Sequence, residues 1–409
     1  MRRISKSVLL LFIFSIPWEY SLDWGEPLGN IARVFGLCLI LTATLGLFCG
    51  DRPRVPGPMQ WLVLAYYLWF CCTCFWSIDA QVTLDKLRGL AQELMIVWLV
   101  WEFVETPSDL RLALRAFVAG SAVLAVLSLA NYGAIDASTG LSRLAAEGQD
   151  PNDMARYLCL GLPMAAVLLK IESRWPWRGL ALSFVPLGAV TVLLTASRTG
   201  FLAEATALTG CALLLARSHK RLVLVGCVLA PLMLGALWFI VPHDIFIRLG
   251  SISEQVQSGD LNQRWNIWLA GWEAFVRAPI LGSGAGTFVS AAALSPIDTA
   301  HNTLLTIAVS GGLCALLPAC GLVVVAFERI ARMERTLLGG MATALLVLGL
   351  TSLVATVEEG RETWLLLALI AVAGRFGEEG RNISVTTPPP KAVSFSPTSL
   401  LDPSHISVD

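Results

Sequence analysis

One histidine and two arginines have types and positions that suggest chemistry. His301 and Asn302 open an apolar segment in "PIDTAHNTLLTIAVSGG", where a chain entering a membrane normally loses its polar groups. Arg198 in "TASRTG" and Arg264 in "NQRWN" each stand next to a predicted helix start. A neutral imidazole can accept a proton, and the planar guanidinium of arginine binds phosphate oxygens in pairs. The three residues predict a base beside a phosphate or diphosphate site.

Each of these residues also has a simpler interpretation when it is taken alone. A single histidine at a helix start is usually an interfacial polar residue, and a single arginine extends to the membrane surface or pairs with an acid. The combination favours a site, because Arg198 would lie at a helix N-terminus, where free N–H groups and the helix dipole attract anions. Arg88 and Lys86, at the start of the fourth predicted helix, could also contact phosphate groups or a headgroup, and Arg88 is kept as a candidate binding residue.

The composition indicates the elements that must position these residues. Apolar residues make up 56% of the 409 and charged residues 14%, and apolar runs near 20 residues recur along the chain, as in an all-α polytopic membrane protein. Residues 1–376 therefore form a predicted transmembrane bundle, and residues 377–409, rich in Pro and Ser, a disordered cytoplasmic tail. The twelve predicted helices span about 7–18, 28–48, 59–76, 84–104, 111–131, 154–171, 177–195, 199–216, 222–241, 301–327, 337–356 and 362–376.

The distribution of basic residues predicts the orientation of this bundle. Alternate loops are rich in Lys and Arg, which places them in the cytoplasm by the positive-inside rule. These loops carry Arg2, Arg3, Lys6, Arg52, Arg54, Arg111, Arg115, Lys170, Arg174, Arg178, Arg217, Lys220, Arg221, Arg329, Arg332 and Arg335. The opposite loops hold only isolated basic residues, and Arg198, Arg264 and His301 are on that side. Both termini are then cytoplasmic, and the candidate site faces the opposite side of the membrane.

The longest predicted loop, residues 242–300, lies on the periplasmic side. Long loops in compact folds are commonly functional. Within it, "DLNQRWNIWLAGWEAFV" places Trp265, Trp268, Trp272 and Phe275 at helical spacing, which predicts an amphipathic helix with these four rings in the lipid headgroup zone. The following "GSGAGTF" is interpreted as a tight turn rather than a phosphate cradle. The "DPND" stretch at 150–153 is predicted to cap the sixth helix.

The ordered motifs resemble the O-antigen ligase and O-antigen polymerase superfamily. The resemblance rests on "SRTG" at 197–200, "QRWNIW" at 263–268, "GSGAGTF" at 282–288 and "AHNTLLTIAVSGGL" at 300–313. Earlier stretches agree, notably "SIDAQVTLDKLRGL" at 77–90 and "DPNDMARYLCLGLP" at 150–163, so the resemblance covers most of residues 1–376.

The resemblance implies a membrane glycosyltransferase in the bacterial inner membrane. Such proteins transfer a glycan from an undecaprenyl-diphosphate carrier to an acceptor, either a glycan or the lipid A core. Arg198 and Arg264 would hold the donor diphosphate, His301 would act at the acceptor hydroxyl, and Asn302 would assist in substrate binding. No metal and no cofactor is expected, since neither a paired-carboxylate metal site nor a nucleotide-binding glycine loop is present in the sequence.

Several alternatives remain open at the level of sequence. O-antigen and exopolysaccharide polymerases share these motifs. A transporter would place its ionisable residues near the bilayer midplane and would show repeat symmetry in its hydropathy. Here the candidate charges gather at one surface, and no repeat is visible. A non-catalytic scaffold for other glycan-assembly proteins would not require His301 or the arginines. The net charge of −1 gives no indication of nucleic-acid binding, and lipids of the membrane are the expected surroundings.

Overall fold

The computed structural model describes residues 1–25, 28–131, 144–216, 218–240, 243–250, 264–295 and 298–386. Within these ranges the protein is helical, without a β-strand. The helices are α1 (Arg2–Ser15), α2 (Ile31–Phe48), α3 (Pro58–Cys72), α4 (Ala80–Phe103), α5 (Pro107–Ala130), α6 (Pro151–Ile171), α7 (Trp175–Leu194), α8 (Arg198–Ala216), α9 (Lys220–Ile240), α10 (His243–Gly250), α11 (Arg264–Arg277), α12 (Phe288–Ala291), α13 (Thr303–Ala331), α14 (Arg335–Ser352) and α15 (Arg361–Thr386). Short 3-10 helices span Ile16–Ser21, Thr73–Phe75 and Val357–Glu359.

The predicted all-α transmembrane bundle is confirmed, with a helix at each of the twelve predicted positions. Eight helices within the described residues are long and apolar enough to cross a membrane, namely α2, α3, α5, α6, α7, α8, α13 and α14. The first and the last predicted helices have different ends in the structure. The first helix begins at Arg2 and ends at Ser15, and a 3-10 helix with Pro17 at its second position follows. The last helix continues past 376 to Thr386, and the rest of the predicted tail, 387–409, lies outside the described residues.

Local sequence explains where several helices begin. Asp150 caps α6, since its Oδ1 accepts the Asn152 N–H at 2.7 Å, and Pro151 occupies the first helical position. The predicted cap in "DPND" is therefore present. In α5 the Thr106 hydroxyl accepts the Asp109 N–H at 3.1 Å while Asp109 reaches back to the Thr106 N–H. These caps satisfy backbone donors that lipid could not.

Helix α6 is the centre of the bundle and packs against α5, α7, α8 and α14. Its residues from Met154 to Leu169 are all buried. Lipid tails are as apolar as leucine, so close packing rather than water exclusion must hold such helices together. Small residues allow that approach: an added Cβ at Gly161 would lie 2.8 Å from Phe184, and one at Gly340 would lie 2.1 Å from Val167.

One end of the bundle carries a group of ion pairs formed by the basic residues of the loops, and we call it the basic end. There Lys6 binds Asp109 at 3.0 Å, Arg329 binds Glu378 at 2.6 Å, and the Nε of Arg115 binds the buried Glu172 at 2.8 Å. These residues belong to the loops and helix ends that the sequence assigns to the cytoplasm. His301, Arg198 and Arg264 lie at the opposite end, where α8, α11 and α13 begin.

Helix α13 is broken within the bundle. Gly312 has φ +66° and ψ −166°, which interrupts the helical hydrogen bonds after residue 311. The segment after α11 fills the break: the Leu313 N–H donates to the Pro279 carbonyl at 2.9 Å, and the Ser283 N–H donates to the Val309 carbonyl at 2.9 Å. Backbone groups freed inside a membrane protein are tolerated only when other protein groups pair with them.

The glycines of "GSGAGTF" permit this insertion. Gly282 has φ +72°, and an added Cβ would lie 2.5 Å from the backbone of Ser310. Gly284 has φ +121° and lies against Ser77, and Gly286 has φ +74° and lies against Lys86. Only glycine combines these dihedrals with such close approach. The glycines therefore shape the backbone, which agrees with the interpretation of this run as a turn.

We expect Gly312→Ala to destabilise the protein by at least about 2 kcal/mol, because alanine is strained at this φ and its Cβ would lie 2.1 Å from the Ile280 carbonyl oxygen. Thermal unfolding in detergent, followed by loss of the monodisperse peak, measures the effect. The control is Gly349→Ala in α14, where an added Cβ meets nothing within 4 Å. An unchanged melting temperature for Gly312→Ala would contradict the proposed role of the break.

Candidate functional site

A cavity of about 400 Å³ lies at the end of the bundle opposite the basic end. Its wall includes the first residues of four helices. Asp150, Asn152 and Asp153 come from the start of α6, and Thr199 and Gly200 from the start of α8. Arg264 comes from the start of α11, and His301 directly precedes α13. The structure thus brings two of the predicted residues, Arg264 and His301, to one cavity.

Several helix starts converge on the cavity, and they differ in how their positive ends are balanced. The first turn of a helix carries unpaired N–H groups and the positive end of its dipole. At α6 that charge is already balanced by Asp150, whose side chain caps the helix. At α8 the cap is neutral: the Ser197 hydroxyl accepts the Gly200 N–H at 3.0 Å and donates to Asn152 Oδ1 at 2.8 Å. The α8 side of the cavity is therefore the side suited to a phosphate group.

Arg264 lines the cavity, and Arg198 lies next to the α8 residues that line it. Arg198 is the first residue of α8, immediately before Thr199 and Gly200 in the wall. The backbone turns sharply just before it, because Ala196 adopts the left-handed conformation with φ +49°. Burial lowers the pKa of Arg264, and the nearby charge of Arg198 lowers it further. Two guanidinium groups that repel each other in this way would be stabilised by an anion between them.

His301 is held in an uncommon backbone conformation at the mouth of α13. Its φ is +46°, the left-handed region that costs a non-glycine residue about 1 to 2 kcal/mol. Hydrogen bonds fix the residues on both sides. The Trp268 indole donates to the Ala300 carbonyl at 3.0 Å, and Asn302 Oδ1 accepts the Leu305 N–H at 2.9 Å. This arrangement directs the half-buried imidazole toward the cavity that it lines.

The surroundings of His301 keep its ring neutral. Burial lowers the pKa of His301, and the positive charge of Arg264 lowers it further, against weaker opposing effects of Asp150 and Asp298. The Thr299 hydroxyl lies 3.0 Å from Nε2 and 3.2 Å from Nδ1. A ring nitrogen without a proton at neutral pH is what a general base requires.

Asn302 has a structural task in addition to its place beside His301. Its amide oxygen caps α13, and its amide nitrogen donates to the Leu353 carbonyl at the end of α14 at 3.2 Å. Thr303 makes a parallel link, since its hydroxyl donates to the Ala355 carbonyl at 2.9 Å. Asn302 is therefore placed to position His301, whereas the sequence suggested that it binds substrate.

Arg88 does not join the cavity. Its Nη1 binds Asp85 at 2.8 Å on the same helix, and both side chains are more than half exposed. Its neighbour Lys86 points the other way and binds Glu359, a residue of the cavity wall, at 2.5 Å. Lys86 and Arg88 are two positions apart, which turns their side chains by more than half a turn relative to each other. Arg88 therefore stays a predicted binding residue that lies outside this cavity.

The sequence analysis missed a buried ion-pair cluster beneath the cavity. Arg156, which lines the cavity and is 5% exposed, binds Glu362 at 2.6 Å and Asp153 at 2.8 Å. Glu362 is 1% exposed at the start of α15. Removing one partner from such a pair leaves an uncompensated buried charge. The cluster therefore ties α6 to α15 under the site. Only the spacing of Asp153 and Arg156, three residues apart, could have suggested part of it.

The amphipathic helix is present as α11, but its aromatic residues do not form the single stripe that was predicted. Trp265 and Trp272 face outward with Leu269 and Val276, and each of these four side chains is at least 50% exposed. Trp268 and Phe275 turn inward and pack with Ile267, Ala274 and Phe288. The split follows from helical geometry, because positions 265, 269, 272 and 276 share one face. The outward face suits a lipid headgroup region, and the inward face supports His301 through Trp268.

The fold and the site define a multi-pass membrane protein with a cavity at one end of its helical bundle, lined by Arg264 and His301. Residues 182–320 match the family model described as O-antigen ligase, a span that includes Arg198, Arg264 and His301. The match confirms the resemblance to the O-antigen ligase and polymerase superfamily. Comparison with curated proteins gave no match.

Proposed function

We propose that this protein transfers a glycan from an undecaprenyl-diphosphate carrier to an acceptor hydroxyl. The main supporting observation is that Arg264 and His301 line the same cavity. The N-terminus of α8, which begins at Arg198, also borders this cavity. The arginines and the helix start suit a diphosphate, and the neutral imidazole suits an alcohol that must lose its proton. The match of residues 182–320 to the O-antigen ligase family model supports the same chemistry.

The reaction assigns a separate task to each side of the cavity. The bond between the anomeric carbon and the diphosphate oxygen breaks, and a bond forms between that carbon and the acceptor oxygen. The acceptor proton passes to a ring nitrogen of His301, and the electron pair of the broken bond remains on the diphosphate. Arg198 and Arg264 stabilise the charge that develops on this leaving group, which is where fixed positive groups contribute most to the rate.

The proposed location is the periplasmic face of the bacterial inner membrane. It is supported by the clustering of basic residues at the opposite end of the bundle, which the positive-inside rule assigns to the cytoplasm. Nucleotide sugars and ATP are not available on the outer face, so the energy of transfer must already reside in the glycosyl diphosphate bond. A carrier lipid that delivers this bond within the membrane meets that requirement.

The acceptor distinguishes a ligase from a polymerase. A ligase transfers the glycan to the lipid A core, whereas an O-antigen or exopolysaccharide polymerase transfers it to another lipid-linked glycan. The description of the matching family favours the ligase. The purified protein in vesicles, given a labelled undecaprenyl-diphosphate glycan, should therefore label added lipid A core in preference to added lipid-linked glycan. Failure to label either acceptor, with an active sample of a known transferase as control, would overturn the proposal.

The acidic limb of the pH profile provides a test of the base. Because the pKa of His301 is lowered, kcat/KM should fall only below the ordinary pKa of histidine, about 6.5. Arg264→Gln removes a charge that disfavours protonation, so the pKa of His301 should rise and the fall in kcat/KM should begin at higher pH. For each variant, kcat/KM is expressed relative to its own maximum. The pH at which it falls can then be compared even though Arg264→Gln is expected to have a lower activity. An unmoved limb would contradict this assignment of the base.

A further inference from the structure

An apolar groove of about 630 Å³ runs between α8 and α14 on the outer surface of the bundle. Small residues form its floor, including Ala205, Thr209 and Ala342, and the exposed side chains of Leu202, Leu213 and Leu346 form its rims. The two helices are in close contact along the groove, since an added Cβ at Gly210 would lie 2.3 Å from the Thr343 side chain. The groove is thus a furrow along the helix pair rather than a gap through the bundle.

The groove is continuous with the candidate site through both of its helices. On α8 the cavity wall contains Thr199 and Gly200, and the groove begins at Leu202. On α14 the cavity wall contains Thr351, and the groove begins at Leu350. Arg198 stands one helical turn above Leu202. A molecule with its diphosphate at Arg198 would therefore meet an apolar furrow directly below its headgroup.

We propose that this groove holds the part of the donor's polyprenyl chain nearest the diphosphate. The proposal rests on the proposed function, since it takes the donor to be a lipid-linked diphosphate. From Leu202 to Leu213 the groove extends over 11 residue steps, or about 16 Å at 1.5 Å per residue. One isoprene unit adds four chain bonds, about 5 Å. The groove therefore accommodates about three isoprene units, and the rest of the chain lies in the bilayer.

The groove orients the donor rather than extracting it from water. Lipid tails are as apolar as the groove, so burial there gives no hydrophobic gain, and the benefit comes from packing contacts and from fixing the direction of the chain. An oriented chain places the anomeric carbon relative to His301 and the acceptor. Chain length should consequently affect transfer up to about three units and have no further effect beyond them.

A photoreactive isoprenoid diphosphate of four units, with its diazirine in the second unit, tests binding without requiring turnover. In vesicles it should label peptides of α8 and α14, as located by mass spectrometry. Thr209→Leu fills the groove and should reduce labelling of α8 and α14 at least about fivefold. Thr44→Leu is the matched control, since Thr44 is an exposed threonine on α2 outside the groove, and its labelling should equal that of wild type.

Two outcomes separate this proposal from the proposed function. Labelling of α8 and α14 that persists in His301→Ala without glycan transfer supports both. Labelling confined to other helices, or undiminished in Thr209→Leu, overturns the groove while leaving the chemistry of His301 intact. With glycan donors of increasing chain length, wild type should gain about fivefold in kcat/KM up to three units. The same gain in Thr209→Leu would also overturn the groove.

Discussion

We expect His301→Ala to abolish glycan transfer while the protein still reaches the membrane at its normal level. A positioned general base contributes about 10² to 10⁴ in rate, and His301 is the histidine that lines the cavity. Its ring is half-buried at the surface of the bundle, and its neighbours Ala300 and Asn302 make the hydrogen bonds that hold the local backbone. Removal of the ring should therefore cost little stability. Glycan profiles on gels from a deletion strain carrying each variant provide the measurement.

His219→Ala is the matched control for this experiment. His219 also lies close to a helix start, but it is at the basic end, where its ring contacts the exposed Ser218 hydroxyl at 3.1 Å. Its loss should leave the glycan profile unchanged. A wild-type profile from His301→Ala at normal protein level would remove the base from the proposed mechanism and favour a scaffold, whose function requires no imidazole.

The second large effect is expected at Arg264. Arg264→Lys keeps the positive charge but replaces a planar fork by a single point charge, which cannot bind two phosphate oxygens in parallel. We expect kcat/KM to fall at least about tenfold, with Arg264→Gln lower still. The control is Arg277→Lys at the other end of α11. Arg277 is not part of the cavity wall, and its guanidinium donates to the Ala291 carbonyl at 2.6 Å.

Comparison of the two Arg264 variants determines what the side chain contributes. If Lys and Arg give equal kcat/KM while Gln is impaired, Arg264 supplies only positive potential. If all three are equal, Arg264 is not part of the site. Measurements at low and high salt add a second criterion, since a forked contact in a half-buried cavity should be less sensitive to screening than a diffuse potential.

The helices were predictable because each relies on a local signal. Runs of about 20 apolar residues and caps such as Asp150 are local properties of the chain, and they placed all twelve helices. The break at Gly312 was not predictable in the same way. A glycine within an apolar run is common in membrane helices. Its conformation depends on Pro279 and Ser283, which come from a distant part of the sequence and pair with the freed backbone.

The site was only partly predictable for a related reason. Polar residues at helix starts are conspicuous in an apolar chain, which identified His301, Arg198 and Arg264. Which of Lys86 and Arg88 reaches Glu359 in the cavity wall depends on the rotation of α4, and the position of Glu359 depends on how α14 and α15 are joined. Arg156 and Glu362 are separated by 206 residues, so their contact is a property of tertiary packing.

The broken helix α13 has a consequence for the order in which the protein matures. Residues 264–295 leave the translocation machinery before α13, yet their backbone partners are Val309, Ser310 and Leu313 on α13 itself. The Trp268 bond to Ala300 and the left-handed turn at His301 require the same docking. We therefore expect a nascent chain released before α13 to integrate its earlier spans normally and to lack a formed cavity. The candidate site would be the last part of this protein to assemble.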